Sequence, residues 1–262
     1  MFKMLKNQFN FIINSPLEQF EVTSLLSFNA PIFGYFTLTL TNLALYSMLI
    51  LFLILSLHYF GNNENKLLPS KWSIALESLF SSINTMVREQ IGSSNEIYLP
   101  FIYSLFCFVL FANLIGNVPY SFVITTSAIV CLGLSFTIFI GVTILSLSIH
   151  KIHFFAYFIP SGTPLMLVPM LVLIELISYL ARALSLGVRL FANMVAGHSL
   201  MKILSSFLYK LFSSSILVFL ITLLPFSIFI ALCGLELAVS FIQAYVFCLL
   251  TSSYLKDAID LH

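Results

Sequence analysis

The chain has very little charge. Of its 262 residues, 11 are Lys or Arg and 10 are Asp or Glu, together 8%, against about 25% in soluble domains. So few charges cannot cover a water-soluble globule of this size, which excludes a soluble enzyme, a disordered chain and a cytosolic scaffold. An excess of one sign is also missing. The formal net charge is +1, too small to make a basic field for nucleic acid. Cysteine is scarce: Cys107, Cys131, Cys233 and Cys248 stand singly in apolar runs without C-x-x-C spacing. They read as buried small hydrophobes, and neither a metal nor a cofactor is expected. What is abundant is apolar. Hydrophobic residues make up 60% of the chain, Phe alone contributes 28, and the mean hydropathy is +1.06. The apolar runs are continuous over twenty residues or more, whereas barrel strands alternate in segments of about ten. The reading is an all-α integral membrane protein with one membrane domain over residues 15–262.

The positions of the charges organise the chain. From Val22 to Asn63 there is no Lys, Arg, Asp or Glu, and the run Ile32–Leu57 predicts a first span. Gly61–Ser73 is polar and reads as a solvent loop. In Trp72–Gln90, Ile74, Leu76, Leu79, Phe80, Ile83, Met86 and Val87 recur at helical spacing, while Glu77, Ser81, Asn84 and Arg88 occupy other faces. This predicts an amphipathic helix lying in the interface. Ile97–Ile149 is again uncharged; Asn113, Gly116 and Asn117 followed by Pro119 predict a break between spans Leu99–Val118 and Phe122–Ser148. His150, Lys151 and His153 mark a return to water, and the H-x-x-H pair reads as an interfacial anchor rather than a metal pair. Met1–Asn14 carries Lys3 and Lys6 and no acid, and reads as a cleavable leader or a disordered end.

Beyond Pro164 the pattern changes, because Glu175, Arg182, Arg189, His198, Lys202, Lys210 and Glu236 interrupt apolar sequence. A helix over Pro169–Met201 is about 50 Å long against a hydrocarbon core of about 30 Å. Fitting it in needs a tilt of roughly 50°, where about 20° is usual. Ser206–Leu255 is longer still and contains Pro225 and Gly234 but no Asn/Asp/Gly turn cluster to make an obvious hairpin. Two arrangements remain open: short spans joined by unmarked turns, or long inclined helices.

A cation at the bilayer centre costs about 2.5–3.5 kcal/mol on insertion scales. Two arginines, a glutamate and a histidine within twenty-four residues therefore point to a charge or proton pathway rather than to packing. Glu175, Arg182 and Arg189 are seven apart and share one helical stripe, which Asn193 continues. Ser185, Ala192 and Ala196 flank Arg189 with small side chains, forming a groove that another helix can approach. His198 lies nine residues from Arg189, on the opposite face and about 13 Å further along the axis. A guanidinium stays charged, so Arg189 can act only as a fixed positive charge. His198 and Glu236 carry exchangeable protons and form a candidate relay. Gln243 lies two turns beyond Glu236 and reads equally as a relay member or as an interhelical hydrogen bond.

The string SLGVRLFANMVAGH, Ser185 to His198, closely resembles the signature of the a subunits of F-type ATP synthases. PSGTPLMLVPMLVLIELISYLARA, SPLEQFEV, FANLIGNVPYSF and GLELAVSFIQAYVFCLLTSSYL resemble the mitochondrial form. The resemblance runs from about Ser15 to Leu255. Bacterial members tend to carry an acid at the place of His198 and a histidine at the place of Glu236. The resemblance implies a fold with an N-terminal span, an interfacial amphipathic helix, a helical hairpin and two long, steeply tilted helices. It implies that Arg189 faces a ring of c subunits, separating two aqueous half-channels opposite the ring carboxylate. It places His198 and Glu236 in the uptake half-channel, Asn193 and Gln243 near the rotor surface, and Glu175 toward the matrix exit, with Arg182 supporting the helix. His58, Asn113 and Asn117 stand between lining that channel and ordinary packing. The implied partners are the c ring, the peripheral stalk, other membrane-sector subunits and the bilayer, with no nucleic acid; the implied location is the mitochondrial inner membrane. No catalytic site of its own is implied. The rival readings are a proton-pumping membrane subunit of a respiratory redox complex and a purely structural anchor.

Overall fold

The structure, a computed structural model, describes residues 17–30, 36–61, 69–119, 121–159, 167–213 and 216–259. The leader expected over Met1–Asn14 lies outside them. A 3-10 turn at Glu18–Phe20 leads into an antiparallel hairpin of β1 (Ser24–Ala30) and β2 (Phe36–Thr41), paired Ser24 to Thr41 and Ala30 to Phe36. Then come α1 (Asn42–Gly61), α2 (Lys71–Ile91), α3 (Leu99–Gly116), α4 (Ala128–His150), α5 (Val168–Phe212) and α6 (Ile216–Ile259). Among the described residues, all of these helices except α2 supply segments long and apolar enough to cross a membrane.

The first span begins ten residues later than the apolar run Ile32–Leu57 suggested. Thr37, Thr39 and Thr41 alternate with Leu38 and Leu40, and a period of two with β-branched residues favours a strand over a helix. Thr41 and Asn42 then start α1: Thr41 Oγ1 accepts from Ala44 N at 3.3 Å, and Asn42 Oδ1 accepts from Leu43 N at 2.8 Å.

Helix α2 is amphipathic as read. Ser70 caps it, accepting from Ser73 N at 3.2 Å, and Ile83, Met86, Val87 and Ile91 are buried. These residues share one core with α3, α4, α5 and α6. Helix α3 lies deepest, burying Ile102, Leu105, Val109, Leu110 and Asn113 among others. The expected break after Asn117 is present, with Ser121 Oγ donating to the carbonyl of Val118 at 2.7 Å. The next span starts at Ala128, not Phe122. Val123–Thr126 is a β-branched run that disfavours helix, and it folds as a buried connector with a short 3-10 turn at Ile124–Thr126.

Between the two open arrangements for the C-terminal half, long helices are realised. Helix α5 is continuous for 45 residues and α6 for 44, each about 65 Å long. Each must incline steeply to keep its apolar residues in hydrocarbon about 30 Å thick. The boundaries accordingly exceed Pro169–Met201 and shift from Ser206–Leu255. Where the two helices meet, the Phe212 ring of α5 sits 5.2 Å from that of Phe219 and 5.8 Å from that of Phe226 of α6. Helix α5 crosses α4 closely at Gly187, where a Cβ would lie 2.9 Å from the Cys131 carbonyl oxygen and 3.2 Å from Leu132 Cα. A larger residue there would separate the two helices.

Candidate functional site

Because α5 and α6 form an antiparallel pair, polar positions meet in rungs. Advancing along α5 while receding along α6, the rungs are Arg182–Asp257, Asn193–Gln243, His198–Glu236 and Met201–Cys233. Arg182 Nη1 donates to Asp257 Oδ2 at 3.0 Å, and Asn193 Nδ2 donates to Gln243 Oε1 at 2.8 Å. His198 Nε2 faces Glu236 Oε1 at 3.5 Å. Both atoms are buried, and neither makes a hydrogen bond among the described residues. Met201 Sδ and Cys233 Sγ are 3.9 Å apart.

The histidine–glutamate rung opens onto a cavity of about 880 Å³ whose walls include Gln19, Asn117, His198, Lys202, Cys233 and Glu236. Helix α3 joins its polar side. Asn117 Nδ2 donates to Ser240 Oγ at 2.8 Å, and that hydroxyl donates to the Glu236 carbonyl at 2.9 Å. Asn113 Nδ2 donates to the Ser240 carbonyl at 3.4 Å. Of the residues left between two readings, Asn117 lines the cavity and Asn113 ties α3 to α6. His58 does neither. Its Nδ1–H donates to the Ile54 carbonyl at 2.8 Å and its Nε2 accepts from the Tyr103 hydroxyl at 3.1 Å, joining α1 to α3.

Arg189 stands apart from this network. It is exposed, with no hydrogen bond or ion pair among the described residues, and exposed Ser185, Ala192 and Ala196 surround it. The small-residue groove is therefore open. Across the seam, Phe241, Ile242 and Tyr245 of α6 are exposed too. Asn193 is exposed but reaches the buried Gln243, so Gln243 makes an interhelical bond beside the groove.

Arg182 and Glu175 lie on the other side of Arg189 along α5. Besides its ion pair, Arg182 accepts the Tyr254 hydroxyl on its carbonyl at 3.5 Å. A small apolar cavity of about 30 Å³ adjoins this pair. Glu175 is half-buried, about 21 Å along the axis from Arg189. Nearby, His150 Nε2 donates to the Ile259 carbonyl at 3.0 Å, closing the end of α6, while His153 is exposed. No group of three or more His, Cys, Asp or Glu side chains assembles among the described residues.

The structure thus brings His198 to Glu236, Asn193 to Gln243, and Arg182 to α6, and leaves Arg189 and Glu175 outside these pairs. Reading the residues missed Asp257, near the end of the last helix, and Ser240, whose position one turn after Glu236 was the available signal. It also missed Gly197. A Cβ there would lie 2.9 Å from Glu236 Oε1, so the glycine makes room for the carboxylate.

Long apolar helices, a buried protonatable pair beside a large cavity with polar groups in its walls, and a bare arginine on an open groove define an ion-conducting subunit of a multi-pass membrane protein. The family described as the ATP synthase A chain matches residues 43–256. The chain is 66% identical over 252 residues to ATP synthase subunit a of Mycosarcoma maydis, covering 96% of this chain and 99% of that protein. It is 50% identical over 256 residues to ATP synthase subunit a of Emericella nidulans, covering 97% and 99%. The chain belongs to the ATP synthase A chain family, and it is a proton-transporting component of the membrane sector of that enzyme. The family match does not favour a redox-complex subunit.

Proposed function

We propose that this chain carries protons through two half-channels that meet at Arg189, and that each proton crosses between them only on a carboxylate of a rotating c ring. The observation that carries the reading is the separation on one helix of two kinds of group. His198 faces Glu236 beside a large cavity with polar groups in its walls, and Arg189 is exposed in a groove of small residues about 13 Å away. The cavity serves as the uptake half-channel, with the buried pair exchanging protons with water. Asn193 and Gln243 hold the seam next to the rotor surface. Glu175, on the far side of Arg189, belongs to the exit half-channel, with Arg182 clamping α5 to α6.

Arg189 favours the ionised form of a ring carboxylate as it passes, and its permanent charge keeps protons from leaking directly between half-channels. Moving one charge through 100 mV is worth about 2.3 kcal/mol, which ring rotation carries to ATP synthesis elsewhere in the enzyme. The chain makes and breaks no covalent bond beyond proton transfer and has no catalytic site of its own. Its partners are the c ring, the peripheral stalk and neighbouring membrane-sector subunits. Its location is the mitochondrial inner membrane, in keeping with its fungal relatives. Arg189→Ala is expected to abolish ATP-driven proton pumping in a complex that still assembles. Near-normal coupled pumping in that variant sinks the proposal.

A further inference from the structure

Part of the wall of the cavity beside Glu236 comes from the N-terminal segment that precedes the transmembrane helices. Gln19 and Phe20, in the 3-10 turn before β1, line it opposite His198, Cys233 and Glu236. The neighbours of these two residues point the other way: Leu17, Glu18, Glu21 and Val22 are exposed. The segment is held to the first residue of α1. Asn42 N–H donates to the Thr23 carbonyl at 3.1 Å, and Asn42 Nδ2 donates to the Glu21 carbonyl at 3.1 Å. Gln19 Nε2 is buried, with no hydrogen bond among the described residues. The space of about 880 Å³ has apolar walls such as Phe122 and Phe229, into which Gln19, Lys202, His198 and Glu236 bring polar groups; water at those groups satisfies them.

We propose that Gln19 and Phe20 are positioning residues for proton uptake: as a strap pinned by Asn42, they form the outer wall of the cavity and set how water and protons reach Glu236. This rests on the reading of the cavity as the uptake half-channel. Phe20 supplies the apolar closure, Gln19 offers an amide to the water inside, and Asn42 holds both in place through the backbone of residues 21 and 23.

Cys233 lines the same cavity and is half-buried, whereas Cys107, Cys131 and Cys248 are buried. Its thiol therefore reports access. The assembled complex in sealed membrane vesicles is treated with a membrane-impermeant maleimide from the side carrying the strap, with Cys233→Ser as the blank. Asn42→Asp keeps the acceptor that starts α1 but loses the donor to Glu21. It is expected to speed Cys233 labelling about fivefold, the factor equivalent to one hydrogen bond of about 1 kcal/mol. Phe20→Ala is expected to do the same, and Phe20→Leu to restore the slow rate. Proton flux in the first two variants should change its dependence on pH of the strap-side medium and keep its dependence on pH of the opposite side. Unchanged labelling in both variants overturns the strap and leaves the half-channel reading standing. Faster labelling with unaltered flux overturns the role in uptake, and with it the assignment of this cavity as the uptake half-channel.

Discussion

Two rungs of the α5–α6 seam use the same chemistry, a nitrogen cation or base against a carboxylate, and treat it in opposite ways. Arg182 and Asp257 meet at 3.0 Å with side chains 33% and 47% exposed. Their hydrogen bond is made, and the space beside them is about 30 Å³ and apolar. His198 and Glu236 face each other at 3.5 Å with side chains only 16% and 12% exposed, and their facing atoms are unpaired among the described residues. The space beside them is about 880 Å³, and Gln19, Asn117 and Lys202 bring polar groups to its walls. An exposed ion pair contributes little, about 0–1 kcal/mol. Polar atoms buried without partners cost about 1–3 kcal/mol each. The first rung is thus a saturated clamp that has no proton to give. The second has been left with capacity to exchange, beside room for water. On the proposed reading, proton traffic runs where the polar groups are unsaturated, not simply where charge is found.

That contrast can be broken at several points, and the largest effect is expected at Glu236. Glu236→Gln keeps the shape but removes the exchangeable proton, and should slow proton-coupled ATP synthesis by about a hundredfold, the scale of a lost acid–base group. Arg182→Gln, at the clamp, should slow it far less. Equal, small effects of the two substitutions on proton flux across sealed vesicles would erase the distinction between the rungs. A smaller loss is expected from Gly197→Ala, whose methyl would press on the Glu236 carboxylate from 2.9 Å. The carboxylate is the free end of a flexible side chain, so it can shift while the helices stay packed. Slower flux from a normally assembled complex is the expected result, and wild-type flux would show that the position of Glu236 is not critical. Smallest of all is Asp257→Asn. Losing this exposed partner should lower thermal stability by no more than about 1 kcal/mol and leave flux nearly unchanged, as read by a melting curve beside a pumping assay. A severe loss of pumping there would make the clamp part of the pathway.

Much of this was legible in the residues themselves. The scarcity of charge identified a membrane protein, and the period of 3.6 in Trp72–Gln90 identified an interfacial helix whose buried face is Ile83, Met86, Val87 and Ile91. The family signature around Arg189 led to the ATP synthase A chain family. The misread starts have a common cause. At Phe36–Thr41 and at Val123–Thr126, apolar content was high enough for a span, but β-branched residues took the backbone out of helix. Hydropathy registers burial in lipid and is blind to that local stiffness.

By itself, then, the sequence determined which residues are expensive to keep in a bilayer: Glu175, Arg182, Arg189, His198 and Glu236 are few, and each interrupts an apolar helix. It also determined that Arg189 and His198 face apart, since helical angle depends only on spacing. The tertiary structure decided which of them meet. The register of two continuous helices, with Phe212 of one packed on Phe219 and Phe226 of the other, put Asp257 against Arg182 and Glu236 against His198, and left Arg189 bare. Pairings between residues fifty or more positions apart follow from how whole helices pack and where each one ends, and no local pattern carries that information. The same holds for the strap: Gln19 and Phe20 reach the cavity because the β1–β2 pairing brings their segment back beside α1, where Asn42 bonds residues 21 and 23.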